Sequence, residues 1–265
     1  MTDIDVELTV DRRDDGIVVA TLNRPDKLNA LTDGLFRDLA RLQAELAEDS
    51  SVRALILTGA GRGFCAGLDL DLAERLPGMT AVDFLATQER WAASIVGFHR
   101  LSVPVIAAIS GPAAGAGFAL ALAADIRIVS RSARFNAAFV RVGLSAGDCG
   151  ASWFLPRIVG HGRAAEILLT GRFVPSDEAL AIGLVSDVVD DGAQLDRAIE
   201  VAAAIRANSP FGMRMTKQIL ASAPTSLEAA LAVENRTQVL ATRTSDMAEA
   251  VSAFREKRTP RFENA

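Results

Sequence analysis

The chain has 265 residues, half of them hydrophobic and 23% charged, with a formal net charge of −5; that is enough apolar content for one large domain or two small ones. The acidic balance and the lack of any long Lys/Arg block argue against nucleic acid as a partner. Cys65 and Cys149 lie far apart without CxxC or Cys/His spacing, which argues against a disulfide framework or a structural zinc and for a reducing compartment.

The N-terminal MTDIDVELTVDRRDD is acidic and polar, unlike a signal or transit peptide. Glu7–Val10 and Ile17–Leu22 read as two strands joined by the polar turn Asp11–Gly16, a hairpin. Asn23-Arg24-Pro25-Asp26-Lys27-Leu28-Asn29 follows as a loop of turn formers and side chains able to bind anions. Leu35, Leu39, Leu42 and Leu46 recur at helical spacing and predict an amphipathic helix from Asp33 to about Ala47. Arg53–Thr58 is a short buried strand, and Gly59 to Asp71 (GAGRGFCAGLDLD) is a glycine-punctuated loop.

A long helix is expected over Ala81–Arg100 and another buried strand over Pro104–Ile109. The stretch from Ile106 to Asp125, IAAISGPAAGAGFALALAAD, organises the chain. It reads as a buried strand, a tight turn at Gly111-Pro112, and a buried helix beginning near Gly115-Ala116-Gly117. Small residues at a helix start leave backbone N–H groups uncovered, where the helix dipole favours negative charge. Such a turn can hold a phosphate, a carboxylate or a transient oxyanion; the competing explanation is close helix packing that needs small side chains. The run is broken by Ser110, Gly111 and Pro112 and is short for a membrane span, so a cytoplasmic protein with no membrane partner is expected.

Asp125–Ser130 reads as a further strand, and Phe139 to Gly150 as a second small-residue loop. Helices are expected over Arg163–Thr170, Ser176–Ile182, Gln194–Ala207, Phe211–Ala221 and Leu227 to about Phe254, with a strand over Leu184–Val189. Thr225 and Glu228 fit a capping box. Alternating strands and helices imply parallel strands with right-handed crossovers. The division expected is a core over 1–192 and a helical region over 193–265 that packs on a neighbouring subunit.

Several chemistries are poorly supported. Gly115-Ala116-Gly117 lacks the third glycine of GxGxxG, and no GxxxxGK[ST] occurs, which argues against nucleotide loops. Only two histidines, His99 and His161, are present, which gives nucleophilic hydrolysis little support, and His161 reads as a helix start. Cys65 lies in a promising loop but fits a small buried thiol. Between Trp91 and Ala165 the only acids are Asp125 and Asp148. Asp125 reads as a cap or ion-pair partner; Asp148, in a glycine loop, reads as either a turn former or a side chain reaching a ligand.

Two loops together resemble the enoyl-CoA hydratase/isomerase (crotonase) family. They are Gly63-Phe64-Cys65-Ala66-Gly67-Leu68-Asp69-Leu70 and Ile109-Ser110-Gly111-Pro112-Ala113-Ala114-Gly115-Ala116-Gly117. Asn23-Arg24-Pro25-x-x-Leu28-Asn29-Ala30-Leu31, Leu155-Pro156-Arg157 and Ala181-Ile182-Gly183-Leu184-Val185 fit in the same order. The resemblance implies an α/β fold, a crotonase-like spiral of ββα units with a helical C-terminal region, assembled as homotrimers or hexamers. It implies an acyl-CoA thioester as ligand, coenzyme A entering as part of the substrate with no separate cofactor and no metal. The N–H groups of Leu68 and Ala116 would form the oxyanion hole, Ala116 replacing the usual glycine, which a helical backbone tolerates. Lys27, Leu28, Ala30, Ala66 and Asp69 would line the substrate with Phe139, and the tail around Lys257 and Phe262 would reach a CoA site.

The departures bear on the reaction. Hydratases of this family carry two glutamates at positions that here are Ala119 and Phe139, neither able to transfer a proton. Asp148 aligns with an acid of dienoyl-CoA isomerase-like members and is the candidate acid/base. The resemblance therefore implies an enoyl-CoA hydratase/isomerase-like enzyme. A catalytically silent acyl-CoA binder, and a thioester hydrolase or C–C bond-cleaving relative, stand beside it.

Overall fold

The computed structural model describes residues 6–222 and 225–263. Strands β1 (Leu8–Arg12) and β2 (Ile17–Leu22) form the expected hairpin, and helix α1 (Asp33–Glu48) follows with the Thr32 hydroxyl capping it by accepting from the Leu35 N–H. Next come β3 (Ala54–Gly59), the short α2 (Leu70–Ala73), α3 (Ala81–Arg100) and β4 (Val105–Ile109). β5 (Pro112–Ala114), α4 (Ala116–Ala123), β6 (Ile126–Ser130) and β7 (Arg134–Asn136) complete the middle of the chain. Then follow α5 (Ala151–Val159), α6 (His161–Thr170), β8 (Val174–Pro175), α7 (Ser176–Ala181) and β9 (Asp187–Val189). The chain closes with α8 (Gln194–Arg206), α9 (Pro210–Ser222), α10 (Leu227–Ala241) and α11 (Ser245–Glu256).

The main sheet has the order β1-β2-β3-β4-β6-β9, and every pairing after the first hairpin is parallel. Burial on both faces explains why β3 and β4 read as unbroken apolar runs. Alternate residues then separate two cores. Val18, Leu55, Leu57, Val105 and Ala107 face the large cluster that includes Leu35, Leu39, Ile95 and Phe98 from α1 and α3. Ile17, Val19, Ile56, Ile106 and Ile128 face Ala198 and Ala202 of α8. The boundary expected after residue 192 therefore falls just before a helix that covers one face of the sheet.

A second ladder, absent from the sequence-based expectation, runs beside the first. β5 pairs in parallel with β7, β7 in antiparallel with β8, and single parallel bridges join Leu31 to Leu68 and Cys65 to Ala113. Each chain segment leaving the main sheet thus contributes a few residues to this inner ladder before its helix, which is the spiral that the resemblance implies. Its strands span only two or three residues, too few to show a period of two.

Other differences are local. Helix α5 has no counterpart in the sequence pattern, because Pro156 and a glycine-rich start interrupt it. The single helix expected from Leu227 is two, divided at 242–244, where the Thr244 hydroxyl donates back to Ala241 O rather than capping α11. Ser226, not Thr225, caps α10 by accepting from the Ala229 N–H. Among the described residues, no helix is long and apolar enough to cross a membrane, and no group of three or more His, Cys, Asp or Glu side chains could hold a metal ion.

Candidate active site

The site begins with two loops of the inner ladder. Leu31 N–H donates to Gly67 O and Asp69 N–H donates to Leu31 O, at 2.7 and 3.0 Å. This parallel bridge uses the groups on either side of Leu68 and leaves the Leu68 N–H outside it. Phe64 and Cys65 N–H both donate to Pro112 O, and Ala114 N–H donates back to Cys65 O. The loop 63–69 is thereby laid directly against the strand that leads into α4.

Glycine is required where the two segments touch. A Cβ on Gly117 would lie 2.2 Å from Cys65 O, and one on Gly67 would lie 2.8 Å from Ala114 O and 3.5 Å from Ala116 N. Gly115 holds φ 52° and ψ −122°, a conformation that side chains of L-residues resist, and this turns the chain sharply into α4. Ala116 is the first helical residue, buried, with a right-handed backbone, so the methyl in place of a hydrogen is accommodated. As the first residue of a helix its N–H has no acceptor one turn earlier. Among the described residues neither Leu68 N–H nor Ala116 N–H has an acceptor in the backbone, and the Gly67 contact brings the segment before Leu68 up to Ala116 N.

The loop 23–30 supports this pair from outside. Leu28 and Asn29 both take left-handed conformations, φ 49° and 57°. The fully buried Asn29 amide donates to Ala60 O and Gly63 O, and its carbonyl accepts from Arg24 N–H. Ala66 N–H donates to Leu28 O at 2.9 Å. Arg24, expected to be available to anions, instead donates to Ala30 O, pairs with Asp69 at 2.8 Å, and meets Glu7 at 3.1 Å. Asp69 is 6% exposed; its second oxygen accepts from Asp71 N–H and caps α2. Its carboxyl is held below the usual range: burial opposes this, and the Arg24 hydrogen bond, the Asp71 N–H and the charges of Arg24 and Lys27 outweigh it. Of the expected lining residues, Lys27 is exposed on a cleft shared with Glu7 and Asn23, while Leu28 borders a separate one with Arg62 and Arg134.

Phe139 lies in a 3-10 turn, Ala138–Val142, with its ring against Gly115: a Cβ there would be 3.8 Å from the ring edge. Ala119 is fully buried within α4. Asp148 stands further along the same loop, half-buried before α5, whose first turn is tied to it by Ala151 N–H donating to Asp148 O. Its Oδ1 accepts from Gln88 Nε2 on α3 and from the Cys149 N–H at 2.6 Å. Gln88 was not singled out by sequence reading; a polar side chain inside a helix, 60 residues from its partner, gives no local signal.

Both cysteines are free and buried, which works against their thiolate forms. Burial, only partly opposed by the Gly67 N–H, pushes the Cys65 thiol up to about 12. Burial and then the charge of Asp148 push the Cys149 thiol up as well. His161 opens α6, as expected of a structural start. Asp125 pairs with Lys217 at 2.7 Å and accepts from Val105 N–H. The tail folds onto its own helix: Arg261 N–H donates to Glu249 and Glu263 N–H to Asp246.

Comparison with known proteins agrees with this architecture. The enoyl-CoA hydratase/isomerase family model matches residues 12–265. A 1,2-epoxyphenylacetyl-CoA isomerase from Escherichia coli K12 is 40% identical over 97% of this chain and 98% of its own. A Mycobacterium leprae protein named "Probable enoyl-CoA hydratase echA12" is 42% identical over 91% of this chain and 85% of its own. The crystal structure of an enoyl-CoA hydratase from Bacillus anthracis superposes with a TM-score of 0.92 at 34% identity, covering 98% of this chain and 100% of the other. On the paired loops, the two-ladder spiral and these likenesses, the chain belongs to the enoyl-CoA hydratase/isomerase (crotonase) family and has its fold.

Proposed function

We propose that the protein is an acyl-CoA isomerase-type enzyme that stabilises a thioester enolate, with Asp148 as the acid/base. The observation that supports this most is the pair of unspent donors, Leu68 N–H and Ala116 N–H, held side by side by glycine contacts. A thioester oxygen placed between them gains two hydrogen bonds that strengthen as it takes on enolate charge. That lowers the barrier to removing a proton from the adjacent carbon. Asp148 would accept this proton and return it to another carbon of the delocalised anion, which conserves mass. Hydration by two carboxylates is disfavoured, because the positions matching the family's glutamates hold Ala119 and Phe139, both buried and unable to exchange protons. The 40% identical relative is itself named for an isomerisation.

A second reading, a silent acyl-CoA binder, draws on those same two positions. Incubating the purified protein with enoyl-, dienoyl- and 3-hydroxyacyl-CoAs and following mass and ultraviolet absorbance separates them. An absorbance change at constant mass supports isomerisation. A gain of water would replace it with hydration, and release of free thiol with hydrolysis. Thioesters that return unchanged yet raise the melting temperature would establish a binder.

The reading extends to substrate contacts and assembly. Lys27, Leu28, Ala30, Ala66 and Asp69 would frame the CoA portion, and Phe139 the acyl portion. Helix α10 buries none of its residues and exposes Leu227, Leu231, Val239 and Leu240. An apolar face of that kind suits the inside of a homotrimer or hexamer, which sedimentation would reveal. A cytoplasmic location completes the proposal and can be checked by fractionation.

A further inference from the structure

We infer that Gln88 of α3 is the positioning residue that orients the Asp148 carboxylate, leaving Oδ2 as its reactive oxygen. This rests on the reading of Asp148 as the acid/base. Two N–H donors, Gln88 Nε2 and the Cys149 N–H, converge on Oδ1 of the carboxylate, and the Cys149 thiol is a further hydrogen-bond partner of Asp148. Among the described residues no N–H donates to Oδ2. One oxygen is thus fixed while the other is free to face a ligand, an arrangement suited to a base that must meet a carbon-bound proton at a set angle.

The backbone supports this at some cost. Cys149 is a buried non-glycine residue at φ 47°, followed by Gly150 at φ 85°. Left-handed conformations in residues other than glycine persist where surrounding structure over-determines them, and they gather at functional sites. Here the turn bends the Cys149 N–H back to its neighbour's carboxylate. Gln88 Nε2 also lies 4.0 Å from Cys149 Sγ, so one amide spans both residues of the turn. Helix α3 runs 20 residues with its Thr80 cap, and Trp91 and Ile95 anchor it in the core. The orientation of an acid on a half-exposed loop is thereby referred to a rigid element.

The test compares Gln88→Met, which keeps length and helix preference but cannot donate, with Gln88→Glu, which sets a second carboxylate against Asp148. Activity is measured on whichever thioester the wild-type protein converts, and both changes are repeated in an Asp148→Asn background. We expect kcat to fall about tenfold or more in Gln88→Met and further in Gln88→Glu, with KM and melting temperature nearly unchanged. With Asn at position 148, Gln88→Met should cost nothing more, since the two residues act as one unit. A general packing role would lower the melting temperature and persist in that background. If Asp148→Asn abolishes turnover while Gln88→Met leaves kcat intact, this inference fails and the proposed function stands. If Asp148→Asn is fully active, or the wild-type protein converts no thioester, both fall.

Discussion

The two halves of the candidate site are built differently. The half proposed as an oxyanion hole, at Leu68 and Ala116, lies where two ladders and a helix start meet, and backbone bonds and glycine contacts surround it. The half proposed as the acid/base, at Asp148, sits on a loop whose neighbours 141–145 are exposed, and its Oδ1 is held by the Gln88 amide and the Cys149 N–H. Filling the glycine contacts of the first half would push its segments apart, whereas the second could be rewritten within a loop. One fold can therefore keep its charge-stabilising donors and change its reaction by exchanging the proton carrier.

This contrast would break most visibly at Gly117. Gly117→Ala drives a methyl into the Cys65 carbonyl, and we expect a loss of about 3 kcal/mol or more in stability with activity at background, read by thermal denaturation and turnover. Asp148→Asn should do the reverse, with kcat down by about 10² to 10⁴ and melting and thioester binding preserved. Between them lies Ala116→Pro. Proline is tolerated at a first helical position but has no N–H, so kcat should fall by about 10² to 10³ with the fold retained.

Two changes away from the site sharpen the comparison by sparing the chemistry. Lys217 is 5% exposed on α9, where it pairs with Asp125 and donates to Val103 O. Lys217→Met removes the ion pair to Asp125, which keeps the Val105 N–H, and leaves the Val103 carbonyl without its donor; it should cost about 1 kcal/mol, read from the denaturant midpoint, while kcat is unchanged. The smallest effect concerns His99. Burial holds its imidazole below the ordinary 6.5, with Asp125 pulling the other way and Lys217 and Arg100 reinforcing the burial. The folded state then takes up a proton less readily than the unfolded one. Its contribution is therefore complete above about 6.5, begins to be lost below that value, and is gone once pH has fallen through the lowered folded-state pKa. His99→Asn should flatten the melting curve between pH 7 and 5.

The same division governs what the sequence made legible. The helix over Ala81–Arg100 and the strand Ile17–Leu22 match the expectation residue for residue, because each has a long apolar period. The inner ladder was hidden, since Pro112–Ala114 and Arg134–Asn136 are too short for alternation to register and gain meaning only by pairing across the chain. Small residues at 110–117 did announce a helix start with open N–H groups, and the family resemblance supplied the partner, Leu68. The clasp of Arg24 with Asp69 and Glu7, and the tie between Gln88 and Asp148, join residues 17 to 60 positions apart. Their partners are chosen by the fold alone, so no spacing in the sequence points to them.

The most direct test of the central claim is hydrogen exchange at carbon. Wild-type and Asp148→Asn proteins would be incubated with saturated and enoyl-CoA thioesters in deuterium oxide, and the thioesters weighed by mass spectrometry. If the Leu68 and Ala116 donors stabilise an enolate and Asp148 moves the proton, the wild type will add deuterium next to the thioester carbonyl and the variant will not. Thioesters that bind and stabilise the wild-type fold yet gain no deuterium would contradict the account and leave a binder in its place.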